Sequence, residues 1–227
     1  GQREALHFHL TPRGGLVDEV DRLVRQEAIR DVAVAERRGR DQGRVLDLDA
    51  AGFMLVPHVS AMTDFNDDTA LASVYEAEAK ALVAKVTGAR RVEIFDHTRR
   101  AASDSLRRQQ VMREPSSVIH NDYTPWSAER RLRDILPDEA ETLLAGRFAI
   151  INIWRSIAGR VATNPLAFCD SRTLAEGDLV EVTRRAQDRV GQIQMARFNP
   201  AHEWVYFPDM EMDEAALIKT YDSATDE

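Results

Sequence analysis

The run VIHNDYT, residues 118–124, sets an imidazole and a carboxylate two residues apart behind two β-branched residues. In a strand, that spacing sends His120 and Asp122 to the same face. An imidazole nitrogen and a carboxylate oxygen from one strand, joined by a second histidine from elsewhere, make the three-ligand face that leaves open positions on non-heme Fe(II). By spacing alone the pair is also what a strand acquires by chance, since six histidines and 38 acids give many openings for one His-x-Asp.

His202, in FNPAHEWVYFPDM, is the one histidine downstream of the pair. It is read either as the third ligand or as a buried ring with one satisfied hydrogen bond. His58 and His97 lie upstream, next to what read as strand ends, and His7 and His9 read as strand-surface residues. Arg155 interrupts the apolar run INIWRSI, where a cation must be paired. A fork of donors for a ligand carboxylate and a plain internal ion pair explain it equally. Lys219 in ALIKTYD raises the same question, and Tyr123, Asn152 and Trp154 are candidates to line a pocket or to pack a core. Cys169 has no histidine partner in sequence and reads as a free core cysteine.

The elements that must position these residues follow from pattern. EALHFHL alternates like a half-wet strand, and GLVDEVDRLVRQEAIR has helical spacing. RVLDLDAAGFMLVPHVS predicts two extended runs around Gly52, the second limited by Pro57. A helix begins near Asn66 or Asp67, carries Leu71, Tyr75, Ala79, Leu82 and Val86 on one face, and stops at Gly88. RVEIFDH predicts a strand and RRAASDSLRRQQVMREPSS a long surface loop. Two short helices, SAERRLRDIL and PDEAETLLAG, follow the His-Asp pair, the second with Pro137 in its first turn and Gly146 as its stop. Beyond them come extended runs: RFAIINIW, PLAFCD, DLVEVTRR, VGQIQMARF, EWVYFPDM and ALIKTYD. Helices in front and strands behind imply a mainly β chain with flanking helices (α+β), an antiparallel sandwich or barrel. No internal repeat or linker divides it. The expectation is one domain over residues 1–227, with elements of 1–115 flanking a core whose strands lie mainly in 116–227.

Composition narrows the function classes. A chain of 227 residues that is 44% hydrophobic and 30% charged is that of a soluble globular protein, with no apolar run long enough for a bilayer. The net charge of −8 argues against nucleic acid as a partner. A lone cysteine excludes an internal disulfide and an all-cysteine zinc site, and fits a reducing cytoplasm or a compartment where thiols do not matter. No phosphate-cradling glycine loop, Gly-x-Ser-x-Gly or His-Glu-x-x-His occurs.

The ordered blocks GFMLVPH, TDFNDD, FDHTRR, IHNDYT, LLAGRFAIINIWRSI, PLAFCDSRT, FNPAHEWVYFPDM and DEAALIKTYDS carry a further signal. Together, from about residue 31 onward, the chain resembles the hydroxylase/desaturase family that includes CmcJ-like cephalosporin methoxylation proteins, AsaB-like enzymes and gibberellin desaturase-like enzymes. The resemblance implies an Fe(II)- and 2-oxoglutarate-dependent oxygenase on a double-stranded β-helix (jelly-roll, cupin-like) core, hydroxylating or desaturating a small-molecule substrate of secondary metabolism with O2. It implies that His120 and Asp122 hold the iron and that the oxidation is coupled to decarboxylation of 2-oxoglutarate to succinate and CO2. Relatives continue past the YDS block into a histidine-containing segment and a strand with an arginine. The expectation is therefore that core strands, the third ligand and the 2-oxoglutarate clamp lie beyond Glu227, with His202 the candidate inside the chain. Arg155, Tyr123, Asn152, Trp154 and Lys219 then become candidates for binding 2-oxoglutarate or substrate.

Two other readings compete. One is a non-catalytic accessory or binding protein on the same fold, and the other a metal hydrolase that needs no oxygen. Exposed strand edges make a homodimer the expected assembly.

Overall fold

The computed structural model describes residues 4–7, 36–38, 45–101, 118–162, 165–186 and 189–224. The helix expected over 15–30 and the long loop expected over most of 99–117 lie outside these residues, as does His9. The described strands are β1 (Glu4–His7), β2 (Glu36–Arg38), β3 (Phe53–Pro57), β4 (Thr98–Ala101), β5 (His120–Asn121), β6 (Ala149–Ser156), β7 (Ala167–Cys169), β8 (Leu179–Ala186), β9 (Arg189–Ala196), β10 (Trp204–Tyr206) and β11 (Glu214–Asp222). They form a five-stranded sheet in the order β3-β11-β6-β1-β4 and two three-stranded sheets, β2-β10-β7 and β5-β9-β8. Every pairing is antiparallel except that of β10 with β2.

The chain is mainly β with flanking helices, as its patterns predict, but the front half does more than flank. Strands β1, β3 and β4 all belong to the five-stranded sheet: β1 pairs with β6 and β3 with β11 from the second half, and β4 pairs with β1 at the edge. Pairing across so many residues is a long-range property that local patterns do not carry.

The five-stranded sheet is two-faced by strand parity. Ile151 and Ile153 on β6 and Ala215 and Leu217 on β11 pack with Phe65, Leu71, Tyr75, Ala79 and Leu82 of the helical layer. That layer is one continuous helix, built from α1 (Asp68–Ala70), a π-helical segment (Leu71–Tyr75) and α2 (Glu76–Thr87). The Asp67 carboxylate accepts from the backbone N–H groups of Thr69 and Ala70 at its start. Gly88, with φ 71°, closes it in the left-handed conformation that favours glycine. On the other face of the sheet, Trp154 and Ala216 join Phe53, Phe168, Val205 and Phe207 in a second cluster. Ile150 packs there with Tyr123 and Ala128 in a third.

Several local expectations change. The first run before Gly52 is a turn, because Asp47 Oδ1 accepts from Ala50 N at 2.6 Å and its carbonyl from Ala51 N at 2.9 Å. RVEIFDH forms no strand. Val92 and Ile94 pack half-buried against the helical cluster, and ladder pairing begins only at Thr98, where β1 supplies a partner. Helix α3 (Pro125–Ile135) starts two residues early, because Thr124 and Ser127 form a reciprocal cap with Pro125 in the first turn. Pro137 lies in a turn ahead of α4 (Ala140–Leu144) rather than within it.

Candidate metal centre

Strand β5 is only two residues long, yet its placement is firmly fixed. His120 pairs with Met195 and Asn121 with Gln194 of β9. The Asn121 amide nitrogen lies 2.8 Å from Gln194 Oε1, 2.9 Å from the Tyr123 carbonyl and 3.0 Å from the Thr220 carbonyl of β11. That carboxamide ties β5 to both the β9 sheet and the five-stranded sheet, and it holds the residue between the two candidate ligands.

On either side of it, His120 and Asp122 converge. His120 Nε2 and Asp122 Oδ1 are 3.4 Å apart, on side chains 16% and 7% exposed. His120 Nδ1 is 2.7 Å from the Val118 carbonyl, which can only accept, so Nδ1 carries a proton and Nε2 is the atom left to bind a cation. The other carboxylate oxygen, Asp122 Oδ2, accepts from Asn152 Nδ2 of β6 at 2.6 Å. Burial works against the imidazolium, but the hydrogen bond and charge of Asp122, with the Val118 carbonyl, outweigh it and raise the His120 pKa. A cation between a nitrogen lone pair and a carboxylate oxygen is the arrangement this geometry favours. Two cis ligands of one ion, at bonds of about 2.1 Å, stand roughly 3 Å apart, so the pair fits a metal without rebuilding.

The remaining candidates are distributed by parity. Asn152 is at the site, through its bond to Asp122. Tyr123 is buried beside it, its phenol pKa raised by burial. Trp154 is on the same face of β6 but is packed into the aromatic cluster around Phe168 and Val205.

Arg155 is a correction. Three residues from Asn152 in a strand, it faces the opposite side, where it is 1% exposed. There its guanidinium donates to the Met212 carbonyl, to the His58 carbonyl at 3.2 Å, and lies 3.0 Å from His58 Nδ1. It also stands over the rings of Phe65 (5.2 Å) and Tyr75 (5.5 Å). These contacts make it a pin between the sheet and the helical layer.

Lys219 is likewise occupied, by Asp222 at 3.2 Å and Asp49 at 3.4 Å. His97 contacts Glu76 at 3.0 Å.

His202 is separate from the pair in this structure. It is 4% exposed, its Nε2 is 2.9 Å from Asp178 Oδ2, and its ring stands edge-on to Trp204. Among the described residues no group of three His, Cys, Asp or Glu side chains converges.

Beside Asp122 a half-open cleft lies between α3 and the β8–β9 hairpin, lined by Tyr123, Arg131, Arg184, Gly191 and Gln192 among others. Gln192 is fixed by the Thr124 hydroxyl, which donates to it at 2.9 Å. Sequence reading missed this wall, although two signals point to it. Arg131 follows the buried Ser127 by four residues on one helix face, and Gly191 interrupts an otherwise well-formed strand.

Comparison with known proteins then bears on what this site serves. The chain is 32% identical, over 97% of its length and 75% of the relative's, to Hydroxylase/desaturase CTB9 of Cercospora beticola. It is 28% identical, over 98% of its length and 80% of the relative's, to the Fe(II)/2-oxoglutarate-dependent dioxygenase nvfI of Aspergillus novofumigatus.

The chain belongs to the hydroxylase/desaturase family of Fe(II)/2-oxoglutarate-dependent oxygenases.

A family model described as Oxidoreductase/YMDC permease-like domain matches residues 14–227 of this oxygenase. Among solved structures, a single-substitution variant of the iron and alpha-ketoglutarate-dependent endoperoxidase NvfI superposes with a TM-score of 0.72, at 30% identity over 82% of this chain and 71% of that one. Another NvfI structure, 23% identical, covers 98% of this chain and 84% of that one at the same TM-score and shows the shared fold. The oxygenase fold is accordingly the double-stranded β-helix, with helices outside it. Its chemistry uses Fe(II), 2-oxoglutarate, O2 and a small-molecule substrate. No helix among the described residues is long and apolar enough to cross a membrane.

Proposed function

We propose that this oxygenase holds its Fe(II) through His120 Nε2 and Asp122 Oδ1 and hydroxylates or desaturates a small molecule of secondary metabolism. The observation that carries the assignment is the buried convergence of those two atoms at 3.4 Å, with each residue's other polar atom held from behind by Val118 or Asn152.

When bound, Fe(II) with 2-oxoglutarate supplies an oxidant drawn from O2 and from decarboxylation to succinate and CO2, able to break an unactivated C–H bond. The chain's own residues do the rest. The Val118 carbonyl keeps the proton on His120 Nδ1, so the ligand nitrogen points inward. Asn152 fixes the rotation of the Asp122 carboxylate. Tyr123, Ala128 and Ile150 close the far side with apolar surface and exclude water. The atoms balance in either outcome: hydroxylation places one oxygen of O2 in the product and one in succinate, and desaturation places the first in water.

Two further parts of this reading concern the whole chain. Residues 1–227 act as one oxygenase domain, supported by the pairing of front-half strands with β6 and β11. Its setting is cytoplasmic, in keeping with a half-buried lone Cys169 whose thiol burial pushes up to about 11. A second copy would pair at β3 or β4, the edges of the five-stranded sheet among the described residues.

The test is anaerobic titration with Fe(II) and 2-oxoglutarate, which is expected to give a weak visible charge-transfer band that His120→Ala abolishes. A band of full strength in His120→Ala would sink the assignment. Succinate release that depends on added substrate and O2 reports turnover.

A further inference from the structure

Among the described residues, the cleft beside Asp122 is lined by more positive than negative side chains. Arg130, Arg131 and Arg184 all line it, against Asp122 and Asp134. Among the described residues none of the three arginines forms an ion pair. Instead Arg130 stands 5.3 Å over the Trp126 ring and Arg131 5.6 Å over Phe95, contacts that keep a guanidinium in place while leaving its donors available. Arg131 Nε is buried with no hydrogen-bond partner. The Tyr123 hydroxyl is buried too and lies against Arg131, whose guanidinium acts on the phenol by charge and hydrogen bonding. Arg184 lines the same cleft as Asp122, which joins the cationic wall to the metal pair.

A second observation is independent of charge. Gly191 sits in the middle of the β8–β9 ladder without a positive φ, and a Cβ added there would meet nothing within 4 Å. The strand therefore has no conformational need for glycine, and the space above it opens on the cleft. A strand glycine with open space above it leaves room for a ligand to approach the backbone closely.

We propose that this cleft seats the molecule to be oxidised and that this molecule carries a carboxylate. Arg131 and Arg184 grip the carboxylate with the Tyr123 hydroxyl, and the carbon body lies over Gly191 with its reacting carbon toward Asp122. The inference rests on the oxygenase reading for its chemistry, while the carboxylate preference stands on the cleft alone.

The test is calorimetric titration of the metal-free full chain with phenylacetate and with naphthoate, each set against its neutral primary amide. Charge-assisted hydrogen bonds to two guanidinium groups are expected to make each acid bind about tenfold or more tighter than its amide. The preference is expected to vanish in the Arg131→Met/Arg184→Met double variant and to return in part with Arg131→Lys/Arg184→Lys. Gly191→Leu, with an unchanged melting temperature, is expected to weaken acid and amide alike. Equal binding of acid and amide, no binding of either, or a preference that survives the double variant overturns the proposal. If 2-oxoglutarate displaces the acids competitively from the metal-free chain, the carboxylate is the co-substrate's and the substrate assignment falls. An acid preference in a chain that shows no Fe(II)/2-oxoglutarate band leaves the cleft's selectivity standing and fails the metal reading instead.

Discussion

Two histidine–aspartate pairs stand in this protein, and their surroundings assign them opposite work. His202 meets Asp178 at 2.9 Å, and the same carboxylate also accepts from the Ala175 backbone N–H at 2.8 Å and from Asn199 at 3.0 Å. That carboxylate is saturated by protein donors, and the ring nitrogen facing it is spent on a hydrogen bond. His120 and Asp122 face each other at 3.4 Å, longer than the roughly 2.7–2.9 Å of a tight charge-assisted bond. Their anchors are behind them, on the Val118 carbonyl and Asn152. The residue types are the same in both pairs. What separates a pin from a binding site is whether the donors lie between the two groups or behind them.

The comparison breaks most sharply by removing a ligand. Either His120→Ala or Asp122→Ala is expected to lower 2-oxoglutarate turnover by more than ~100-fold, beyond the loss typical of an outer-shell change, measured as succinate released per enzyme with the Fe(II) band as companion. Asn152→Ala, which removes only the backing of Asp122, is expected to weaken Fe(II) binding by about 10–100-fold, read by anaerobic titration. His202→Ala should leave the Fe(II) band intact and cost about 2 kcal/mol of stability, read from the urea midpoint. Loss of the band in His202→Ala would return that residue to the ligand set.

The smallest effect, and the one that sharpens the contrast, is in pH. The His120 pKa is raised above 6.5 in the fold, so in the metal-free chain its contribution to stability is fully present below 6.5 and fades as pH rises through the folded value. Asp178 is lowered from 3.8, first by the Ala175 N–H and then by His202. Its contribution is present above 3.8 and fades as pH falls through the folded value. Urea midpoints scanned across pH are expected to lose the alkaline-side decline in His120→Ala and the acid-side decline in Asp178→Asn.

What could be read in advance depended on the range of the interaction. The helix over 68–87 was legible because its cap at Asp67, its apolar stripe and its stop at Gly88 are all local. The strands of the second half were legible by their β-branched alternation. RVEIFDH was misjudged because a strand needs a partner as well as a pattern, and β1 offers one only from Thr98. Arg155 was placed in the wrong company for a reason the sequence already held. Asn152 and Arg155 are an odd number of residues apart in one strand and cannot share a face. The cleft wall was missed because it is assembled from α3 and the β8–β9 hairpin, which no single motif spans.

The Asn121 carboxamide has a consequence for how such an enzyme changes over generations. Two N–H bonds serve three acceptors, the Tyr123 carbonyl just past β5, Gln194 on β9 and the Thr220 carbonyl on β11, so the peptide carrying the ligand pair is clamped to both halves of the barrel. Arg130 and Arg131 of the cleft hang on a surface helix that takes none of those bonds, whereas Arg184 and Gly191 belong to the hairpin that Gln194 ties to the clamp. Selection, or an engineer, can therefore exchange the helical jaw of the cleft while the hairpin jaw and the anvil beneath it stay as they were.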